Sequence, residues 1–461
     1  MVLSQEDNVI PDDDSLDWEG LPTADAKALL RSVREIEDGG EVDVFQPDPD
    51  IERLVQIVGS YRGSLFNAIR RRIDGVRKLG DVEVVTQKDL WSLLEELWRA
   101  NVSLFSDTEL AALKSSLEEP GIGLRSLSQK SGLSYSQARR AIRRLRRAGV
   151  LRMEGLLNTG KLGLQRVIIL LESPELVLSS VYITKTLFID GAEPKVLHVA
   201  TIPGERMEDM LNIVRGFRTT STKVSAWNLS TGKPAFDGRY SSKTGWNIDI
   251  FHWSTQVRKG DNQLILSEPP SSKPEHVHFT PADLKIIDQL AVNYEATAQE
   301  IVEATGLSES TAFRKRAQLI EERVVVPRPR ARVPQLTDRV LVLSDVSTAG
   351  TILPAWSLLP VTYVTRLENL ETSERRVLQI AALPPGASRS LIRALESWMS
   401  RVDDYSADVV QAGAESRFMT AAMFNRRERA WKWGHGDFFD ARSYASVRKE
   451  SENREVPVDL A

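Results

Sequence analysis

Apolar residues at three- and four-residue spacing run through residues 51–104: Leu54, Val58, Tyr61, Leu65, Ile69 and Ile73, then Leu90, Leu93, Leu94 and Leu97. This period predicts amphipathic helices. Arg70, Arg71 and Arg72 take the opposite face, and Thr86 with Asp89 reads as a capping box ahead of the second run. A shorter helical stripe, Ala26, Leu29, Leu30 and Val33, lies between Ala24 and Ile36. From residue 105 the period switches between helical and extended. Helices are predicted over Asp107–Leu117, Leu124–Ser131 and Tyr135–Ala148, followed by a strand opening at Val150. A β-rich stretch follows, interrupted by a helix-like segment at 206–217.

The same order begins again near residue 279. Phe105-Ser-Asp-Thr-Glu-Leu110 matches Phe279-Thr-Pro-Ala-Asp-Leu284, and Gly132-Leu133-Ser134 matches Gly306-Leu307-Ser308 at the same offset of 174 residues. Ala138, Arg140, Leu145 and Val150 fall on Ala312, Arg314, Leu319 and Val324 without a gap. Further on, Arg166-Val-Ile-Ile-Leu170 parallels Arg339-Val-Leu-Val-Leu343, and Lys195–Pro203 parallels Arg376–Pro384. An internal duplication accounts for this.

The turn in each copy has a physical logic. Glycine lets the backbone reverse, leucine plugs the core, and serine caps the next helix. The third helix of the first copy carries Arg139, Arg140, Arg143, Arg144, Arg146 and Arg147, with no acid between Ser134 and Ala148. Arginines three and four residues apart repel, and their planar forks suit phosphates and guanine edges. The expected DNA-contacting set is Ser134, Tyr135, Ser136, Gln137, Arg139, Arg140, Arg143, Arg144 and Arg147. In the second copy it is Ser308, Ser310, Thr311, Arg314 and Lys315. There Arg316 aligns with Ile142, so the buried stripe is expected to use Ala312, Phe313 and Leu319. A wing at Val326–Pro334 alternates proline with Arg328, Arg330 and Arg332, an arrangement that sets the arginines on one side, as a phosphate-tracking wing requires.

These motifs, Leu127-x4-Gly-Leu-Ser134-x-Ser-x-Ala-x-Arg140-x4-Leu145 and the second copy from Ile301, resemble the leucine-responsive/feast-famine (Lrp/AsnC) family of transcription regulators. The resemblance implies an α+β fold. It also implies two winged helix-turn-helix modules, each followed by a small α/β domain, ferredoxin-like or ACT-like, which in that family mediates oligomerisation and often binds an amino-acid-like effector. The chain departs from that family in carrying two copies, in its N-terminal extension, and in lacking a glycine-rich turn for an effector.

The resulting division is an acidic tail at 1–50, a helical region at 51–104, a winged helix at 105–161 and an α/β domain at 162–266. A linker at 267–278, rich in proline and serine, leads to a second winged helix at 279–334, an α/β domain at 335–445 and a tail at 446–461. The net charge of −4 conceals an asymmetry, because fifteen acids and three bases fall in the first fifty residues. Everything after them is net basic, which keeps nucleic acid in play. There are no cysteines, and the five histidines are scattered apart from His276-Val277-His278 beside Glu275, so no metal or cofactor is expected. Trp246, Phe251 and Trp253 in one copy, and Trp431, Trp433, Phe438 and Phe439 in the other, read as core aromatics.

No phosphate loop, nucleophile elbow, H-E-x-x-H or G-x-G-x-x-G motif occurs, so no enzyme is expected. No apolar run spans a bilayer and no signal peptide opens the chain, which places it in the cytoplasm at the nucleoid. The function expected is a transcription regulator that binds double-stranded DNA, as a single chain or a homodimer, with a protein partner for the acidic tail. The alternatives are an architectural chromatin protein and a tandem winged-helix interaction scaffold.

Overall fold

The structure is a computed structural model. It describes residues 22–37, 53–55, 57–58, 61, 64–79, 84–102, 105–242, 245–257, 279–399, 405–434 and 440–451. The linker at 267–278, most of the acidic tail and the residues after 451 lie outside the described residues, as do His276, His278, His435, Phe438 and Phe439. Two compact units divide the chain: residues 1–104 with 146–149, and residues 105–145 with 150–461.

The described residues of the first unit include the helices α1 (Ala24–Glu37), α2 (Leu65–Leu79) and α3 (Gln87–Val102). Leu30, Leu65, Ile69, Leu90 and Leu94 meet in its core. Glu37 at the end of α1 accepts from the Phe66 N–H at 3.1 Å, capping α2. Arg53 stacks on Trp98 at 4.3 Å and bonds Glu95 at 2.8 Å.

The second unit opens with α4 (Asp107–Glu118), α5 (Leu124–Ser131) and α6 (Tyr135–Arg147). Its second copy gives α8 (Pro281–Val292), α9 (Ala298–Thr305) and α10 (Glu309–Glu321), with α7 (Met207–Arg215) between. Gly132 and Gly306 end α5 and α9, both at φ 69°, a left-handed conformation that glycine adopts without strain. Ser106 and Thr280 close capping boxes at the two first helices.

Beyond these helices the sequence expectation fails in an informative way. Strand β1 (Leu151–Leu157) does not fold back into a wing hairpin. It pairs antiparallel with the corresponding strand of the other copy, here β6 (Val325–Ala331). The two copies therefore close one shared ribbon. Pro327 and Pro329 are tolerated because a two-stranded ribbon leaves outward positions where no N–H is required.

The α/β parts are not separate ferredoxin-like or ACT-like domains either. The first copy gives β2 (Leu164–Glu172), β3 (Ile183–Asp190), β4 (Lys195–Pro203) and β5 (Lys223–Leu229). The second gives β7 (Asp338–Asp345), β8 (Val361–Asn369), β9 (Arg375–Leu383) and β10 (Tyr405–Glu415). Their hydrogen bonds run β2–β5–β8–β9–β7–β10–β3–β4 and back to β2, a closed antiparallel barrel of eight strands. Each copy supplies four neighbours in the same internal order, joined at the β5–β8 and β10–β3 seams. A barrel of this size fills its own interior. Ile168, Leu170, Leu187, Ile189, Leu197, Val199, Trp227, Leu341, Leu343 and Ile380 do so here.

The outward faces are covered by helices. α7 packs on the first copy, and α11 (Val346–Trp356) and α12 (Ala387–Met399) on the second, where Trp253 is fully buried and donates to the Ala355 carbonyl at 2.7 Å. Trp246 is also buried, whereas Phe251 is 82% exposed. In α10, Ala312 and Leu319 are buried, but Phe313 is 68% exposed. Its place against the core is taken by the half-buried Arg316, which donates to the Ala296 carbonyl at 2.7 Å. The homodimer expected from the sequence is unnecessary for closure, because duplication supplies both halves of the barrel in one chain.

Candidate functional site

Strand alternation aims particular polar residues into the barrel. Arg166 shares the inward face of β2 with Ile168 and Leu170. Arg339 shares that of β7 with Leu341 and Leu343. Lys185 precedes Leu187 and Ile189 on β3, and Thr201 follows Leu197 and Val199 on β4. These four side chains form a polar layer at one mouth of the barrel, above the leucine-rich interior. β2 and β7 are four strands apart round the ring in either direction, so the two arginines approach from opposite walls. They are also counterparts in the duplicated sequence.

The β1–β6 ribbon stands over this mouth. Register places Arg152 opposite Arg330 and Glu154 opposite Arg328, so all four share one face. Between ribbon and barrel lies a cleft of about 640 Å³. The segment Glu415–Met419, at the end of β10, makes its side wall. Eight cationic side chains line the cleft against two acids, Glu154 and Glu415. Arg330 bridges both acids, at 3.4 Å from Glu154 and in a short bond to Glu415, while Lys185 lies 3.5 Å from Glu415.

Arg339 is the most constrained member. It is 5% exposed, and burial pushes its guanidinium down to about 10, against the smaller opposing effect of Asp338. Nη1 donates to the carbonyls of Leu336 and of Asp338, the latter at 3.0 Å. Nε is buried with no hydrogen-bond partner among the described residues.

The side wall is held from α8. Asp288 is buried, and its carboxylate accepts from Thr420 N at 2.7 Å, Thr420 Oγ1 at 2.8 Å and Ala421 N at 3.0 Å. Burial raises its pKa above the ordinary carboxylate value, although the three hydrogen bonds oppose the rise. The cleft is one-sided. β3 and β10 line it, while on the other side Tyr363 packs against Gly232, and Phe236 meets Trp246 edge-on at 6.1 Å. Among the described residues no three His, Asp or Glu side chains are grouped to hold a metal ion, and the lining of the cleft is mainly cationic.

The residues expected to touch DNA are dispersed. Ser134 and Gln137 cap α6 through each other, at 2.9 and 3.3 Å, and Ser136 Oγ lies 3.2 Å from Ser134 Oγ. Tyr135, Arg139, Arg140, Arg143 and Arg147 are exposed on α6, while Arg144 turns back to an ion pair with Glu109. Ser308 bonds Thr311 at 2.8 Å and Ser310 at 3.4 Å, Lys315 is tied to Asp283 at 2.5 Å, and Arg314 is exposed. Arg328, Arg330 and Arg332 line the cleft instead of forming an outer wing. Their alternation does set Arg328 and Arg330 on one side, but that side faces the barrel.

The sequence reasoning missed Arg152, Arg166, Lys185, Arg339 and Arg417 as site residues. A signal existed for two of them: both copies place an arginine at the first inward position of an otherwise apolar strand.

No family model matches the chain, and no curated protein matches it. It aligns with a solved structure entitled siroheme decarboxylase NirDL at a TM-score of 0.38 and 10% identity, covering 68% of this chain and 94% of that one. A second structure of NirDL, in co-complex with an iron-uroporphyrin III analogue, gives 0.37 and 11% over the same shares. Aspartate kinase from Synechocystis gives 0.21 and 10%, covering 57% of this chain and 45% of that one.

The Lrp/AsnC assignment is thereby corrected, since no family model matches, and the two copies share one ribbon and close one eight-stranded barrel instead of forming winged modules with separate ferredoxin-like domains. The DNA-binding regulator, its chromatin and scaffold alternatives, the double-stranded DNA partner and the nucleoid location are corrected with it. The ribbon arginines expected to grip a phosphate backbone are turned into the cleft. A missing catalytic motif does not set the chain apart from enzymes. Among the described residues no helix is long and apolar enough to cross a membrane.

Proposed function

We propose that the chain binds a compact small molecule carrying several carboxylate or phosphate groups, in the cleft between the β1–β6 ribbon and the barrel mouth. The observation that carries this reading is the excess of eight cations over two acids around one cleft. Like charges gathered in a partly desolvated space repel unless an anion joins them. The volume suits a ligand of this kind, because small-molecule sites span roughly 300–1,000 Å³ and barrel mouths are a common place for them. Arginine forks bind carboxylate and phosphate alike.

Equilibrium titration with two probes tests the reading: uroporphyrin III, a tetrapyrrole polycarboxylate, and inositol hexakisphosphate. The expected result is saturable binding of at least one probe. The double variant Arg152→Gln, Arg328→Gln should weaken it roughly tenfold or more, since each charge-assisted hydrogen bond is worth about 1.5–3 kcal/mol. No binding of either probe, or binding indifferent to those changes, overturns the proposal.

A further inference from the structure

We propose that Arg339 is the specificity-determining anchor of the cleft, its Nε–Nη2 edge holding one carboxylate or phosphate on an arm of the ligand that reaches into the barrel mouth. The inference rests on the reading of the cleft given above and adds which ligands fit it. A ligand must carry one anionic group on an arm able to enter the mouth, not merely a dense outer charge.

Three observations support this. Arg339 is buried on an inward face of the barrel yet lines the cleft. Among the described residues no carboxylate lies within ion-pairing distance of it, and the electrostatic support from Asp338 is smaller than the effect of burial. Its hydrogen bonds are also lopsided. Nη1 is spent on the carbonyls of Leu336 and Asp338, which fixes the plane of the guanidinium, while the Nε–Nη2 edge makes no hydrogen bond among the described residues. That edge presents two parallel N–H groups, the geometry that receives a carboxylate or phosphate bidentately. A buried cation and a buried unpartnered N–H both cost stability. Such costs concentrate at functional sites, where a ligand offsets them. Thr201 and Lys185 share the inward layer and complete a polar seat for the same group.

A purely structural role makes the opposite prediction. If Arg339 exists to tie down the Leu336–Asp338 turn, its removal lowers stability and leaves the probes' relative affinities unchanged. The test uses the full chain and the variants Arg339→Met and Arg339→Lys, with uroporphyrin III and inositol hexakisphosphate as probes. Thermal melting and titration are both read. The expected result for Arg339→Met is a melting temperature equal to or above that of the parent, with affinity for the bound probe down a hundredfold or more. Arg339→Lys, which keeps the charge but loses the fork, should fall about tenfold. Parent-like affinity in Arg339→Met overturns the inference. So does a drop in melting temperature without a change in affinity. If Arg339→Met does not fold, parent-like affinity in Arg339→Lys overturns it instead. When Arg152→Gln with Arg328→Gln abolishes binding and Arg339→Met does not, the anchor fails while the cleft stands. When the parent binds neither probe, the cleft itself fails.

Discussion

Glu154 and Arg328 are counterparts in the two copies of the duplicated sequence, and they stand directly opposite one another across the β1–β6 ribbon. A residue facing its own counterpart marks a pseudo-twofold axis, the arrangement of an isologous contact between two subunits. Here the two subunits are halves of one chain. The axis runs through the ribbon and toward the barrel mouth, where the counterparts Arg166 and Arg339 face each other. Duplication has thus built a single site from two halves and then made it unequal: an acid against a base, and an open seam against one closed by Tyr363.

The ribbon's approach to α8 depends on Gly155. A side chain there would collide with the Leu290 carbonyl and with Val325 Cγ1. Backbone cannot retreat cheaply, so Gly155→Ala should cost about 1–3 kcal/mol of stability as an overpacked site. Urea denaturation measures this. An unchanged midpoint and slope would show that the ribbon does not rest on α8.

His198 is fully buried, with Nδ1 and Thr186 Oγ1 at 2.8 Å and Nε2 without a partner among the described residues. Burial pushes its pKa from 6.5 to about 3. The unfolded chain therefore takes up a proton between those values and the folded chain does not. Stability is complete above about pH 6.5 and is lost as the pH falls toward 3. Between pH 6.5 and 4 this one residue should account for about 3 kcal/mol, from about 1.4 kcal/mol per pKa unit. Gln379 holds the corresponding place in the second copy, so His198→Gln is a conservative replacement. Denaturation at stepped pH should show a flatter acid limb in the variant. An identical acid limb would mean that His198 is protonated in the folded chain.

Asp288 couples α8 to the side wall of the cleft, and its titration runs in the opposite sense. Its folded pKa is raised, chiefly by burial, so the folded form holds its proton to higher pH than the unfolded chain. Its contribution is greatest at low pH and declines as the pH rises through that raised value. The stability of the parent relative to Asp288→Asn should therefore fall as the pH rises above the ordinary carboxylate value of 3.8. Probe affinity should fall as well in Asp288→Ala, because Thr420 and Ala421, which directly follow the Glu415–Met419 wall, lose the three hydrogen bonds that anchor them. A parent-like affinity in that variant would separate the wall from the site.

Local structure was legible in the sequence because its causes are local. The glycine turns, the serine and threonine caps and the helical stripes act within a few residues, and the duplication marks them twice. Closure of the barrel was not legible. Strands such as β2 and β7 are largely apolar on both faces, inward for the interior and outward for the helices, so alternation cannot say which edge meets which. The seams join residues far apart, Lys185 with Glu415 and Leu229 with Leu367. The same distance hid the site. Arg328 and Arg330 looked like an outer wing because nothing nearby in sequence shows that β1 will pair with them and turn them toward the barrel.

The central claim is that one anionic ligand binds on the pseudo-twofold axis at the barrel mouth. Calorimetric titration of uroporphyrin III and inositol hexakisphosphate into the parent, into Arg166→Gln, and into the surface control Arg139→Gln with Arg143→Gln tests it most directly. The account predicts one equivalent per chain for at least one probe, a loss of about tenfold or more in Arg166→Gln from removal of a charged hydrogen bond, and parent-like binding in the α6 control. Binding of several equivalents, or binding that ignores Arg166→Gln and follows the α6 arginines, would contradict it.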